Sequence, residues 1–122
     1  KESVEMVDWT IKNALGGEIV VPKLKSFKIT DMAKAINPKN TFKIIGIKRG
    51  EKLHEDLITN NDGPYTIDLG KYYLILPNND TKTIKKYKNK FNFKKIKENF
   101  SYSSNQKKYL SISEIKKLVK NI

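Results

Sequence analysis

The sequence predicts a mixed α/β fold, an α+β segment in which short strands and amphipathic helices follow one another. Three observations point there. Short β-branched or aromatic runs at 18–21, 43–47 and 72–76 are closed by proline, glycine or asparagine. Apolar residues recur at helical spacing over 1–15, 30–36 and 111–120. The 122 residues suffice for one domain, or part of one, that buries roughly two-thirds of its unfolded surface.

In the first helix Val4, Val7, Ile11, Ala14 and Leu15 form the stripe expected to be buried, and Gly16-Gly17 ends it. Trp9 lies off that stripe, so it is expected to pack on an element outside this segment. Glu18-Ile-Val-Val21 is a short strand closed by Pro22, which has no N–H for a ladder. Lys23 to Lys28 reads as a loop. Thr30 is the expected N-cap of a helix through Ile36, with Met32, Ala33 and Ile36 inward and Asn37-Pro38 as its stop. Tyr72 to Leu76 is a strand closed by Pro77. In the last helix Ser111 and Glu114 have the spacing of a capping box, and Ile112, Ile115, Leu118, Val119 and Ile122 make the apolar face.

The rest of the chain is arranged around Phe42 to Ile58. Phe42, Ile44, Ile45 and Ile47 read as a buried strand. A sharp turn follows at Lys48-Arg49-Gly50-Glu51. A short helical run with Leu53, Leu57 and Ile58 on one side is expected next. A strand that ends in two cations, a glycine and a carboxylate can hold an anionic ligand. Glycine admits backbone conformations that other residues resist, and the cations would neutralise phosphate.

Composition narrows the function. The formal net charge is +12, which first suggests nucleic acid or another anionic surface. Yet the cations are 24 lysines and one arginine, Arg49, and nucleic-acid readers draw on arginine for its bidentate fork. The richness in Lys, Asn and Ile looks like an AT-rich coding sequence. Thr81 to Asn99 interleaves Tyr87, Phe91 and Phe93 with lysines, a pattern in which rings stack on bases. The preferred reading of that segment is a solvated face with aromatic anchors in the core. There is no cysteine, which excludes disulfides, thiolate zinc sites and a cysteine nucleophile. The one histidine, His54, has no second at zinc-binding spacing. No tyrosine is followed four residues later by lysine, and the glycines are wrongly spaced for a dinucleotide or Walker loop. No run approaches the ~20 apolar residues that span a bilayer, so a soluble, cytoplasmic segment with no membrane partner is expected.

Several blocks resemble one family. Gly17-Glu-Ile-Val-Val-Pro-Lys23, Ser26-Phe-Lys-Ile-Thr-Asp-Met-Ala-Lys-Ala-Ile36 and Ile45-Gly-Ile-Lys-Arg-Gly-Glu-Lys-Leu-His-Glu55 are similar to the C-terminal part of UDP-N-acetylglucosamine 4,6-dehydratases. These are extended short-chain dehydrogenase/reductases of the polysaccharide-biosynthesis group. Tyr72-Tyr73-Leu-Ile-Leu-Pro77, Tyr102-Ser-Ser-Asn105, Tyr109-Leu110 and Ser113-Glu-Ile-Lys-Lys-Leu118 follow in the family's order.

The resemblance implies a C-terminal substrate-binding portion of a Rossmann-type enzyme, with residues 1–122 as one nucleotide-sugar-binding piece. The Rossmann core, which would bind NADP and carry the catalytic tyrosine and lysine, is absent. In such enzymes hydride passes from C4 of the sugar to NADP, water is lost across C5 and C6, and hydride returns to C6. The product is a 4-keto-6-deoxy nucleotide sugar, inverted at C5 in the inverting subgroup. The implied partners are a UDP-sugar, the missing core and a homo-oligomer of the full enzyme. No activity is expected of this chain alone. The family's turn carries arginine, often proline, glycine and glutamate. Here Lys48 takes the arginine's place and Glu51 the acid's, facing the diphosphate and a ribose hydroxyl respectively. Lysine brings charge without the planar fork, and Arg49 is the candidate to compensate. Lys23 and Ser26 fall in a matching loop near the nucleotide. Three alternatives stay open: a related UDP-sugar epimerase, a free-standing basic nucleic-acid module, and a split remnant inactive without a Rossmann chain.

Overall fold

A computed structural model of the chain describes residues 2–105 and 107–120. The elements run α1 (Glu2–Asn13), β1 (Ile19–Pro22), α2 (Ile29–Ile36), β2 (Asp56–Ile58), a 3-10 turn at Gly63–Tyr65, β3 (Thr66–Asp68), β4 (Tyr72–Ile75), α3 (Thr81–Lys90), β5 (Lys94–Lys95), β6 (Tyr102–Ser103) and α4 (Ile112–Val119). They fall into two compact units, Lys1–Lys23 with Asp56–Tyr102, and Leu24–Glu55 with Ser103–Ile122. The mixed α/β class is borne out, and the four-stranded sheet is antiparallel in every pair.

The first unit is built on that sheet, in the order β1-β4-β3-β5. Leu74 lies at its centre, opposite Val20 on one side and Ile67 on the other. Side chains alternate along β4, so Tyr72, Leu74 and Leu76 enter the core while Tyr73 faces the other way. The core joins Ile67, Leu74, Leu76 and Tyr87. On the opposite face the Tyr73 ring lies 5.3 Å from both Phe100 and Tyr102. At the 3-10 turn a Cβ on Gly63 would lie 2.5 Å from the Glu98 carbonyl oxygen, so only glycine fits that close approach.

Helix α1 forms where expected but buries the other face. Val4 and Ile11 of the supposed inward stripe are 72% and 79% exposed, and Val7 and Ala14 are exposed too. Trp9 instead packs on this chain's own sheet and helix, its ring 5.0 Å from Tyr72 and 5.9 Å from Phe91. An indole and its aromatic neighbours bury far more area than valines do, so the aromatic side wins the one surface on offer. The lysine-rich segment is mostly a helix that spacing alone did not mark. Asp80 caps α3 by accepting from the Thr83 N–H at 2.7 Å. Ile84, Tyr87 and Phe91 turn to the core. Two of the lysines act locally: Lys86 Nζ donates to the Leu15 carbonyl at 3.0 Å and Lys90 Nζ to the Asn13 carbonyl at 2.7 Å, closing the C-terminal end of α1.

In the second unit α2 packs with α4. The capping box at Ser111 is present in both directions, and Ile115 is buried. Leu118 and Val119 are more exposed than the helical stripe predicts, and Ile122 lies outside the described residues. Lys28 rather than Thr30 occupies the N-cap of α2, without a side-chain cap, and Ile36 is exposed. The larger correction concerns residues 43–47. No strand forms there, Ile44 is 93% exposed, and no helical run follows Glu51. The isoleucines have the propensity for a strand. Propensity cannot replace a neighbouring strand to receive the N–H and C=O groups, and none lies alongside among the described residues.

Candidate functional site

The four residues Lys48–Glu51 close a tight turn. The Glu51 N–H donates to the Lys48 carbonyl at 3.1 Å, and Gly50, third in the turn, has φ +89°. A positive φ at that position is what a type II turn requires, and it explains why glycine stands there. Proline suits the second position of such a turn, where this chain has Arg49. The Glu51 side chain folds back, its Oε2 accepting from the Lys48 N–H at 2.8 Å. One carboxylate oxygen is therefore fixed by the backbone of the residue whose side chain is the first cation.

All four residues are exposed. Among the described residues, neither Lys48 nor Arg49 is paired with a carboxylate. Two unneutralised cations beside a fixed acid can receive a group that is anionic at one end and hydroxylated at the other.

The other two expected site residues are engaged elsewhere. Ser26 is half-buried and joins the second unit through its backbone: it bridges to Tyr109, and its carbonyl accepts from the Leu110 N–H at 2.8 Å. Lys23 belongs to the first unit. Its Nζ lies 2.6 Å from Asp68 Oδ1 and 4.4 Å from the Tyr73 ring centre. Burial alone would push the Asp68 carboxyl up, but Lys23 and the Gly70 N–H together hold it below its ordinary range. The Lys23 charge is thus already matched.

Residues that the reading of spacing missed secure the far end of the 48–55 segment. The Glu55 N–H donates to Ser104 Oγ at 3.0 Å, and the Ser104 N–H donates to the Glu55 carbonyl at 2.8 Å. Ser104 Oγ also lies 3.4 Å from His54 Nδ1. The only sequence signal for Ser104 was its place in the Tyr102–Asn105 block.

The described elements define a mixed α/β chain with an antiparallel four-stranded sheet in its first unit. Residues 1–77 match the family model described as polysaccharide biosynthesis protein, and the chain belongs to that family. It is 40% identical over 111 residues to a UDP-N-acetylglucosamine 4,6-dehydratase (inverting) of Campylobacter jejuni, covering 85% of this chain and 32% of that protein. It is 32% identical over 125 residues to a UDP-glucose 4-epimerase of Rickettsia bellii, covering 99% of this chain and 36% of that one. The chain thus spans about a third of the length of the curated relatives it matches. The X-ray structure of Pen from Bacillus thuringiensis superposes with a TM-score of 0.74 at 21% identity, over 98% of this chain and 36% of that one, a likeness of fold.

Proposed function

We propose that this chain is the nucleotide-sugar-binding part of a UDP-N-acetylglucosamine 4,6-dehydratase of the inverting type. Lys48 and Arg49 meet the UDP diphosphate, and the free oxygen of Glu51 meets a ribose hydroxyl. The observation that carries this is the closed turn itself, with its acid fixed on the Lys48 backbone at 2.8 Å and neither cation ion-paired among the described residues. The 40% identity to the Campylobacter jejuni enzyme supports the substrate class.

The residues present do not fit NADP. Among the described residues there is no parallel strand–glycine turn–helix unit for a pyrophosphate. The cofactor, and with it the hydride chemistry, belongs to a Rossmann domain that packs on this chain. The exposed Val4–Val7–Ile11 stripe of α1 suits that domain as its occupant, because relatives carry about twice this length again beyond the matched part. The epimerase reading rests on the Rickettsia bellii similarity. The nucleic-acid reading is weakened by Lys86 and Lys90, which cap α1, and by Tyr87, which is buried.

The test is a UDP titration of the chain with and without a Rossmann domain of the family. Weak binding alone, tighter binding with the domain, and a loss of about tenfold on Glu51→Gln are expected. A 4-keto-6-deoxy product supports the dehydratase, and UDP-galactose formed from UDP-glucose the epimerase. Affinity indifferent to Glu51, or dehydration by the 122 residues alone, would overturn the proposal.

A further inference from the structure

Residues 48–55 contain no helix or strand, yet the segment ends at a fixed point. At Glu55 the chain is gripped on both sides of one residue by Ser104: its N–H donates to the hydroxyl and its carbonyl accepts from the Ser104 N–H. This has the form of a ladder rung in which a side-chain hydroxyl replaces a backbone carbonyl. A hydroxyl has one proton and two lone pairs. With one lone pair taken by the Glu55 N–H, the proton is free to go to His54 Nδ1, 3.4 Å away. In that tautomer the neutral imidazole is a donor at Nε2, on an exposed ring three residues beyond Glu51.

We infer that Ser104 is a positioning residue for the nucleotide-gripping loop, acting through the Glu55 backbone and setting His54 as an Nε2–H donor for a phosphate or sugar oxygen. Its purpose rests on the UDP reading above, whereas its geometry does not. The Lys48–Glu51 turn closes on itself, so it fixes its own shape but not its place. An anchor at Glu55 removes much of the freedom of the four intervening peptides, so less is lost when a ligand binds.

The experiment uses the nitrogen-15-labelled 122-residue chain as wild type, Ser104→Ala and Ser104→Thr. Three quantities are read: amide exchange at Glu55, the ring-nitrogen shifts of neutral His54, and the shift changes on adding UDP. The Leu110 amide, bonded to the Ser26 carbonyl, serves as the folding control. Alanine is expected to speed Glu55 exchange about tenfold, move the His54 nitrogens and weaken UDP several-fold, with Leu110 unchanged and threonine restoring all three. Glu55 exchange and His54 nitrogens unmoved by alanine would overturn the inference whatever UDP does. So would wild-type UDP affinity in the alanine variant. If wild type itself shows no response to UDP, the UDP reading falls, while the anchor still stands on the exchange and ring data.

Discussion

Two β-branched stretches of this chain meet opposite fates. Ile19-Val-Val-Pro22 is paired along its length with β4, and Val21 is buried. Phe42 to Ile47 is richer in isoleucine, yet it forms no strand and stands in solvent. The difference teaches that β-propensity describes what a residue does once a neighbouring strand exists. Hairpin geometry brings β4 back beside β3, and β1 adds to its free edge. Nothing comparable reaches 42–47 among the described residues.

The comparison is broken most directly by truncating one side chain from each kind of environment. Leu74→Ala, at the sheet centre, should cost about 2–5 kcal/mol in urea unfolding. Ile44→Ala should change stability by less than about 0.5 kcal/mol. Equal losses would mean that 42–47 is packed in solution. A middle-sized effect belongs to α4. Ser111→Ala removes its N-cap and should cost about 0.5–2 kcal/mol of second-unit stability. The Ser111 N–H and hydroxyl hold the Glu114 carboxyl below its ordinary value. Folding therefore favours the ionised form: that contribution is complete above the unfolded value and fades as pH falls through the lower, folded one. Helical signals of α4 followed by NMR should weaken on the acid side, and Glu114→Gln should flatten that dependence.

A small stabilising effect sharpens the comparison at the turn, which keeps its shape without a strand beside it. Arg49→Pro presets φ at the second turn position and should stabilise the loop by about 0.4–1 kcal/mol, read as slower amide exchange at Glu51. The same change removes a cation, so UDP binding should weaken if Arg49 reaches the phosphates. Tighter binding would assign the phosphate contact to Lys48 alone.

Local chemistry made part of this protein legible in its residues. The Ser111–Glu114 box and the Gly50 turn depend on neighbours within a few positions, and the strand at 72–75 on a hairpin that brings its own partner, β3. The Gly50–Glu55 block likewise carried the most specific part of the resemblance to the family. Other features were decided in three dimensions. Which face of α1 is inside was one, because helical periodicity finds an apolar stripe but cannot weigh valines against Trp9 once Tyr72 and Phe91 are near. The work of Lys86 and Lys90 was another, since a lysine counts as surface charge until a helix end arrives beside it. The grip of Ser104 on Glu55 joins residues 49 apart. Periodicity and capping report on the few residues around them, whereas burial, pairing and distant anchors depend on what the rest of the chain brings alongside.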